Sequence, residues 1–389
     1  TLTCCRSAIA YGELWWNGDG VDDDCVWHAN GDLNRETGYE NHAVSIRFGG
    51  NNFDTLTEGS EHTMGGFMRF QTILLSLTVG WLPLTAAADY SDHPSAEMLI
   101  KRVAERGVDR DWLQSALSEA TRQESILKAI SRPAEKSKPW SEYQDIFLTD
   151  RRAKEGIKFW RENRETLDRV SKDTGVPSEV IVAIIGVETY YGRITGGYRV
   201  IDALSTLAFD YPRRSPFFTK ELEVFLELAY QSGLPLEELK GSYAGAMGLG
   251  QFMPSSYRAF AKDYEGDGVI DIWTNPNDVI MSVANYFVAH GWRPGGKVIA
   301  RAKFSGDPTL FDVGLKPRLS IDALADKGLK PVTDQSSDQL ATPIKFDGKS
   351  GEEHWLGLHN FYVITRYNHS AMYAMAVHQL SQTLRAQML

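Results

Sequence analysis

The chain has 389 residues, 42% of them hydrophobic, enough to bury a sizeable core in two or three domains and to exclude wholesale disorder. Its formal net charge of −10 argues against a nucleic-acid partner, because such binding needs a basic surface to displace counterions. All three cysteines, Cys4, Cys5 and Cys25, fall within the first 25 residues, so the rest of the chain has no disulfide framework, thiol nucleophile or thiolate zinc site.

Residues 1–67 are polar, rich in Gly and Asn, and show no sustained period. Residues 68–88 follow the order of a secretory signal: Arg69 as a short positive region, an apolar run from Ile73 to Leu84, then Ala86, Ala87 and Ala88 as small residues for cleavage. The apolar run is short for a membrane span. The expectation is that 1–67 are a non-native upstream extension without order and that the mature chain is 89–389. No cysteine follows the apolar run to accept lipid, so the protein is expected in the periplasm, exported and not lipid-anchored.

Residues 95–165 are charged and helical in pattern, with a break at 133–139. A strong helix is predicted over 176–191: Pro177 suits its first position, Glu179 its first turn and Gly192 its end. Val180, Ile181, Ile184, Val187 and Glu188 share one face. Helices are also predicted over 217–232, after Asn275-Pro276, and over 367–387. Between 296 and 357, short alternating runs broken by Gly, Pro and Asp predict a small β insertion.

Glu188 is the candidate for chemistry. A carboxylate on an apolar helix face is desolvated, which raises its pKa. A carboxylic acid still protonated near neutral pH is what protonates a leaving glycosidic oxygen. The alternative is a buried Glu paired with Arg193, Arg213 or Arg214.

The sequence around it, Gly-Val-Glu-Thr-Tyr-Tyr-Gly-Arg at 186–193, resembles the catalytic segment of B-type lytic murein transglycosylases. Four further blocks resemble that family in order: 202–214, Gly-Ser-Tyr-Ala-Gly-Ala-Met-Gly-Leu-Gly-Gln-Phe-Met-Pro-Ser-Ser-Tyr at 241–257, 282–287 and Arg-Tyr-Asn-His-Ser-Ala-Met-Tyr at 366–373. The resemblance implies a mainly α (α+β) protein with a lysozyme-like catalytic core. That core would span 166–295, between an N-terminal helical domain at 89–165 and the β insertion at 296–357, and would be completed by a C-terminal helix at 358–389.

It also implies roles. Glu188 would be the single acid and base. Ser242 and Gln251 would border the cleft, and Gln251 with Phe252 would contact sugar. Tyr286 would orient Glu188, and Tyr143, Tyr367, Asn368 and Tyr373 would line the same site. Arg213 and Arg214 would face the peptide stem. Core packing for the tyrosines and a solvated pair for the arginines are the alternatives.

With one carboxylate, Glu188 would protonate the leaving oxygen of the β-1,4 bond between N-acetylmuramic acid and N-acetylglucosamine. It would then accept the proton of the C6 hydroxyl, which closes a 1,6-anhydro ring without water. The partner implied is the peptidoglycan glycan strand, along with cell-wall synthesis proteins. A monomer without a catalytic cofactor is expected. A hydrolytic muramidase and a non-catalytic peptidoglycan-binding scaffold are the competing readings.

Residues 263–271, Asp-Tyr-Glu-Gly-Asp-Gly-Val-Ile-Asp, resemble the front half of an EF-hand loop. Asp263, Glu265, Asp267 and the Val269 carbonyl would bind a structural Ca2+. Thr274 stands where the usual Glu would be, and the family resemblance implies a longer loop closed by a later Asp, which Asp278 matches. An acidic turn that binds no metal is the alternative.

Overall fold

The structure, a computed structural model, describes residues 89–131 and 138–389. The upstream stretch 1–67, the signal segment 68–88, the three cysteines and most of the break at 133–139 lie outside the described residues. The molecule is mainly helical, with one small sheet.

Three short helices, α1 (Ala96–Ala104), α2 (Arg110–Glu119) and α3 (Glu124–Ile130), come first. They lie against α8 (Val200–Asp210) and α9 (Ser215–Ser232). Charge anchors them there. Arg102 of α1 and Arg106 in the turn after it pair with Glu223 of α9 at 2.6 and 2.7 Å. Tyr90 donates to Asp210 at 2.5 Å, and buried Asp202 accepts the Thr121 N–H at 2.8 Å and pairs with Arg199 at 2.7 Å. Asp202 and Asp210, the two acids nearest Glu188 in the family-like blocks, are thereby committed to docking this N-terminal segment.

Next come α4 (Trp140–Phe147), α5 (Asp150–Glu162), α6 (Arg164–Thr174) and α7 (Ser178–Thr189). The sequence predicts one apolar face for α7, but every residue of it except Glu179 is buried. It is the central helix, packed by α5, α6, α11 (Pro276–Ala289) and α14 (Ala371–Met388). Five of the six residues 180–185 (all but Ala183) are β-branched and modest helix formers, so burial on all sides stabilises this helix more than propensity does. It also ends two residues before the predicted stop. Tyr190 and Tyr191 both turn left-handed, with φ of 53° and 59°, ahead of Gly192 at 82°.

A two-residue pairing of β1 (Tyr198–Arg199) with β2 (Lys240–Gly241) leads into the Gly-rich block, which continues into α10 (Pro254–Phe260). Helix α11 starts at Pro276, where the Asn275 side chain accepts the Asn277 N–H at 3.0 Å.

The insertion is a five-stranded antiparallel sheet in the order β4-β6-β7-β3-β5. Its strands are β3 (Ile299–Phe304), β4 (Leu319–Ser320), β5 (Leu329–Pro331), β6 (Leu340–Gly348) and β7 (Gly351–Gly357), with α12 (Ile321–Asp326) between β4 and β5. The sheet has its own small core, including Ala302, Leu324, Leu329 and Leu356. Phe346 of β6 also reaches Trp140 of α4, with ring centroids 5.3 Å apart.

The C-terminal helix predicted from sequence is two helices, α13 (His359–Tyr367) and α14. Asn368 is extended, with φ −142° and ψ 124°. Ser370 caps α14 by accepting the Tyr373 N–H at 3.3 Å. This break places Tyr367 and Tyr373 on two different helices. No helix among the described residues is long and apolar enough to cross a membrane.

Candidate active site

Glu188 stands in the last turn of α7 with 3% of its surface exposed. Its Oε1 accepts the Tyr373 hydroxyl at 2.5 Å. Burial pushes the carboxyl well above the usual carboxylate range, and the Tyr373 bond offsets this only in part. Arg193, one of the partners the sequence offered for neutralising Glu188, pairs instead with Glu155 at 2.7 Å. Arg214 stacks over the Phe217 ring at 4.5 Å.

Three tyrosines share the surroundings of Glu188. The phenols of Tyr143, Tyr367 and Tyr373 are all pushed up, first by burial and then by the charge of Glu188. They come from α4, the end of α13 and the start of α14, so three separated segments converge on one carboxyl group. A carboxyl beside phenols, whose hydrogen-bond partner is the Tyr373 hydroxyl, is biased toward its protonated form and can deliver that proton to a bound oxygen.

The Gly-rich block forms the adjacent wall. Met247 and Phe252 exchange backbone hydrogen bonds at 2.8 and 2.9 Å, closing a tight loop over residues 248–251. Thr189, next to Glu188, donates to the Leu249 carbonyl at 2.9 Å and accepts the Gly192 N–H at 3.0 Å, fastening the end of α7 to this loop. Tyr367 donates to the Gly250 carbonyl at 2.6 Å. A Cβ at Gly250 would lie 3.1 Å from that hydroxyl, close enough that the phenol would have to shift by a few tenths of an ångström.

Each predicted site residue has a definite place. Gln251 is left-handed (φ 53°), and its amide nitrogen donates to the Gly248 and Thr195 carbonyls at 2.8 and 3.1 Å. That nitrogen therefore shapes the loop. Phe252 is 3% exposed, with its ring 5.9 Å from those of Tyr286 and Tyr367, so it packs under the aromatic wall. Ser242 is half-buried and accepts the Ala246 N–H at 3.0 Å. Asn368 is half-buried in the helix break beside Tyr367. Arg213 is exposed at the entrance to α9, next to Arg214.

The Tyr286 hydroxyl donates to the Arg366 carbonyl at 2.5 Å, and the Tyr373 hydroxyl is hydrogen-bonded to Glu188. The break at residues 368–370 turns Tyr373 inward. Sequence reasoning missed Thr189, although it lies within the 186–193 block. Its signal was position alone, one residue after the acid.

The EF-hand-like loop brings ligand atoms of Asp263, Glu265 and Asp278 within 4.8 Å of one another. Asp278 is buried and accepts the Tyr264 and Asp271 N–H groups at 2.8 and 2.7 Å. Its carboxyl is pushed up to about 6, first by burial and also by the charge of Glu265. Three crowded carboxylates with one of them buried form an all-oxygen donor set that fits a hard divalent cation. Asp267 stands apart from the three: it is exposed and accepts the Val269 N–H at 2.8 Å.

A family model described as a transglycosylase SLT domain matches residues 91–382. The chain is similar to the membrane-bound lytic murein transglycosylase B of Escherichia coli (strain K12), with 45% identity over 306 residues, 76% of this chain and 84% of that protein. Among solved structures it is similar to the catenated lytic transglycosylase SltB1 from Pseudomonas aeruginosa, with a TM-score of 0.74, 48% identity, and coverage of 77% of this chain and 99% of that one. It is also similar to the Escherichia coli lytic transglycosylase Slt35 in complex with calcium, with a TM-score of 0.71, 44% identity, and coverage of 77% and 96%.

Proposed function

Because the chain belongs to the SLT-domain transglycosylase family and is a peptidoglycan lytic transglycosylase with a lysozyme-like fold, we propose that Glu188 is its single catalytic acid and base. The observation that carries this reading is a buried carboxyl held by the Tyr373 hydroxyl at 2.5 Å, in surroundings whose burial raises its pKa.

The reaction then needs only one carboxyl group. Glu188 gives its proton to the leaving oxygen of the β-1,4 bond between N-acetylmuramic acid and N-acetylglucosamine as the C1–O bond breaks. The substrate's 2-acetamido group stabilises the positive charge left at the anomeric carbon. Glu188, now ionised, takes the proton of the muramic acid C6 hydroxyl, whose oxygen bonds to C1 and closes the 1,6-anhydro ring. The attacking hydroxyl belongs to the same sugar, so it is far more effective than dilute solvent. The commitment of Asp202 and Asp210 to N-terminal docking supports a one-carboxylate path. Within the site, Tyr143, Tyr367, Asn368 and Ser242 line the glycan groove, and Arg213 and Arg214 face the peptide stem.

Asp263, Glu265 and Asp278 would hold a structural Ca2+, which would neutralise three crowded carboxylates and fasten the loop to the start of α11. Residues 68–88 support export, and a periplasmic site of action suits a wall-cleaving activity.

The test is mass spectrometry of purified peptidoglycan digested with residues 89–389, run beside Glu188→Gln. Products one water lighter than reducing muropeptides, absent with the variant, are expected. Reducing ends would make the reaction a hydrolysis, and soluble products from the variant would remove Glu188 from its role.

A further inference from the structure

Helix α5 meets the turn after Glu188 along one face. Residues 152, 155, 156 and 159 recur at i, i+3, i+4 and i+7, the spacing that aligns side chains on a helix. Arg152, 5% exposed, donates through Nη1 to the Gly186 carbonyl and through Nη2 to the Ile146 carbonyl, the latter at 3.2 Å. Its guanidinium lies 4.6 Å from the Tyr190 ring and 5.2 Å from that of Phe147. Glu155 holds Arg193, as described above. Gly156 has no side chain where the Tyr191 hydroxyl sits, and Phe159 stacks on the Tyr191 ring with centroids 5.8 Å apart.

We propose that Arg152 is a positioning residue for the transglycosylase reaction: it joins the C-terminal ends of α4 and α7 and so fixes Tyr143 relative to Glu188. Gly186 lies two residues before Glu188, and Ile146 three after Tyr143. Both carbonyls are in the last turn of their helices, where the helix dipole favours a cation, and the Gly186 carbonyl, which also accepts the Tyr190 N–H at 3.1 Å, takes the guanidinium as a second donor. A planar guanidinium has donors in a fixed fork and bonds both carbonyls at once. A lysine ammonium keeps the charge without that fork. The same group stacks on Tyr190, the first residue of the left-handed turn, so one side chain fixes the helix end and the turn that leaves it. The proposal rests on Glu188 being the catalytic acid.

The experiment compares wild type, Glu188→Gln and Arg152→Lys on purified peptidoglycan, separating kcat from apparent KM and recording Tm for each. Arg152→Lys is expected to lower kcat by about 10- to 100-fold with KM nearly unchanged and the protein folded, since a misplacement near 1 Å costs about 100-fold. If Arg152→Lys does not fold at the assay temperature, Arg152→Gln is read by the same criterion. A kcat within about 2-fold of wild type, or a loss that only follows the unfolded fraction, overturns the proposal. Equal activity of wild type and Glu188→Gln overturns the premise instead, so the two failures are distinguishable.

Discussion

Tyr373 and Glu188 lie 185 residues apart in sequence and meet at 2.5 Å, phenol to carboxylate oxygen. The contact exists because the C-terminal segment is broken at residues 368–370 and restarts under the Ser370 cap. One uninterrupted helix would place Tyr367 and Tyr373 on faces about 120° apart. The break lets both phenols approach one acid.

Glu188→Gln should abolish lysis, with a loss of about 100- to 10,000-fold, while the fold persists. Stability provides a second readout. The folded-state pKa of Glu188 is raised, so the wild type is penalised for ionising a buried acid as pH rises toward and through that value. The variant has no such penalty. Its Tm should exceed that of wild type on the alkaline side, and the two should converge in acid, where both side chains are neutral. Thermal melts across pH check this, and parallel curves would count against an elevated pKa.

Tyr373→Phe removes the hydrogen bond that favours the ionised form of Glu188. The acid should then hold its proton to higher pH. The alkaline limb of the pH–rate profile should move upward, while the maximal rate falls about 10-fold from the lost orientation. An unmoved limb would show that the phenol does not act on the carboxyl's proton.

Gly250→Ala would place a methyl group 3.1 Å from the Tyr367 hydroxyl and push it off the Gly250 carbonyl. We expect a stability loss of about 1–3 kcal/mol, as for other overpacked sites. Lytic activity should drop by more than the unfolded fraction explains. Chemical denaturation and kcat measured on the same preparation separate the two effects.

Added Ca2+ should raise Tm, by the equivalent of about 2.7 kcal/mol at a hundredfold excess over Kd, and a chelator should reverse the gain. Asp278→Asn should abolish the response. Binding requires the ionised carboxylate, and Asp278 is pushed up to about 6, so the Ca2+-induced gain should shrink as pH falls through that value. A wild-type Tm indifferent to Ca2+ would remove the metal assignment.

The sequence made Glu188 legible because an acid on an apolar stretch is conspicuous and its block is distinctive. It also made legible the helical character, the β insertion and the acidic loop. Other features depend on tertiary context. Burial of α7 on every side follows from its neighbours, because periodicity reports one face and cannot count the helices around it. The helix break was hidden because Asn368, His369 and Ser370 are tolerated in helices, and only packing selects the extended form. The approach of Tyr373 to Glu188 followed from that break. Arg152 had no motif at all: its partners are backbone carbonyls, and these leave no trace in the residue types.

The three consecutive positive φ values at Tyr190, Tyr191 and Gly192 bear on the order of assembly. A left-handed tyrosine costs about 1–2 kcal/mol in isolation, and the local bonds of Tyr190 N–H to Gly186 and Tyr191 N–H to Ile185 offset part of it. The turn is held further by what docks on it, namely the α5 face and the Thr189 tie to the Gly-rich loop. A half-assembled chain has neither a buried acid nor a closed loop beside it. The cutting power thus belongs to no single segment and exists only where segments from across the chain are in place together.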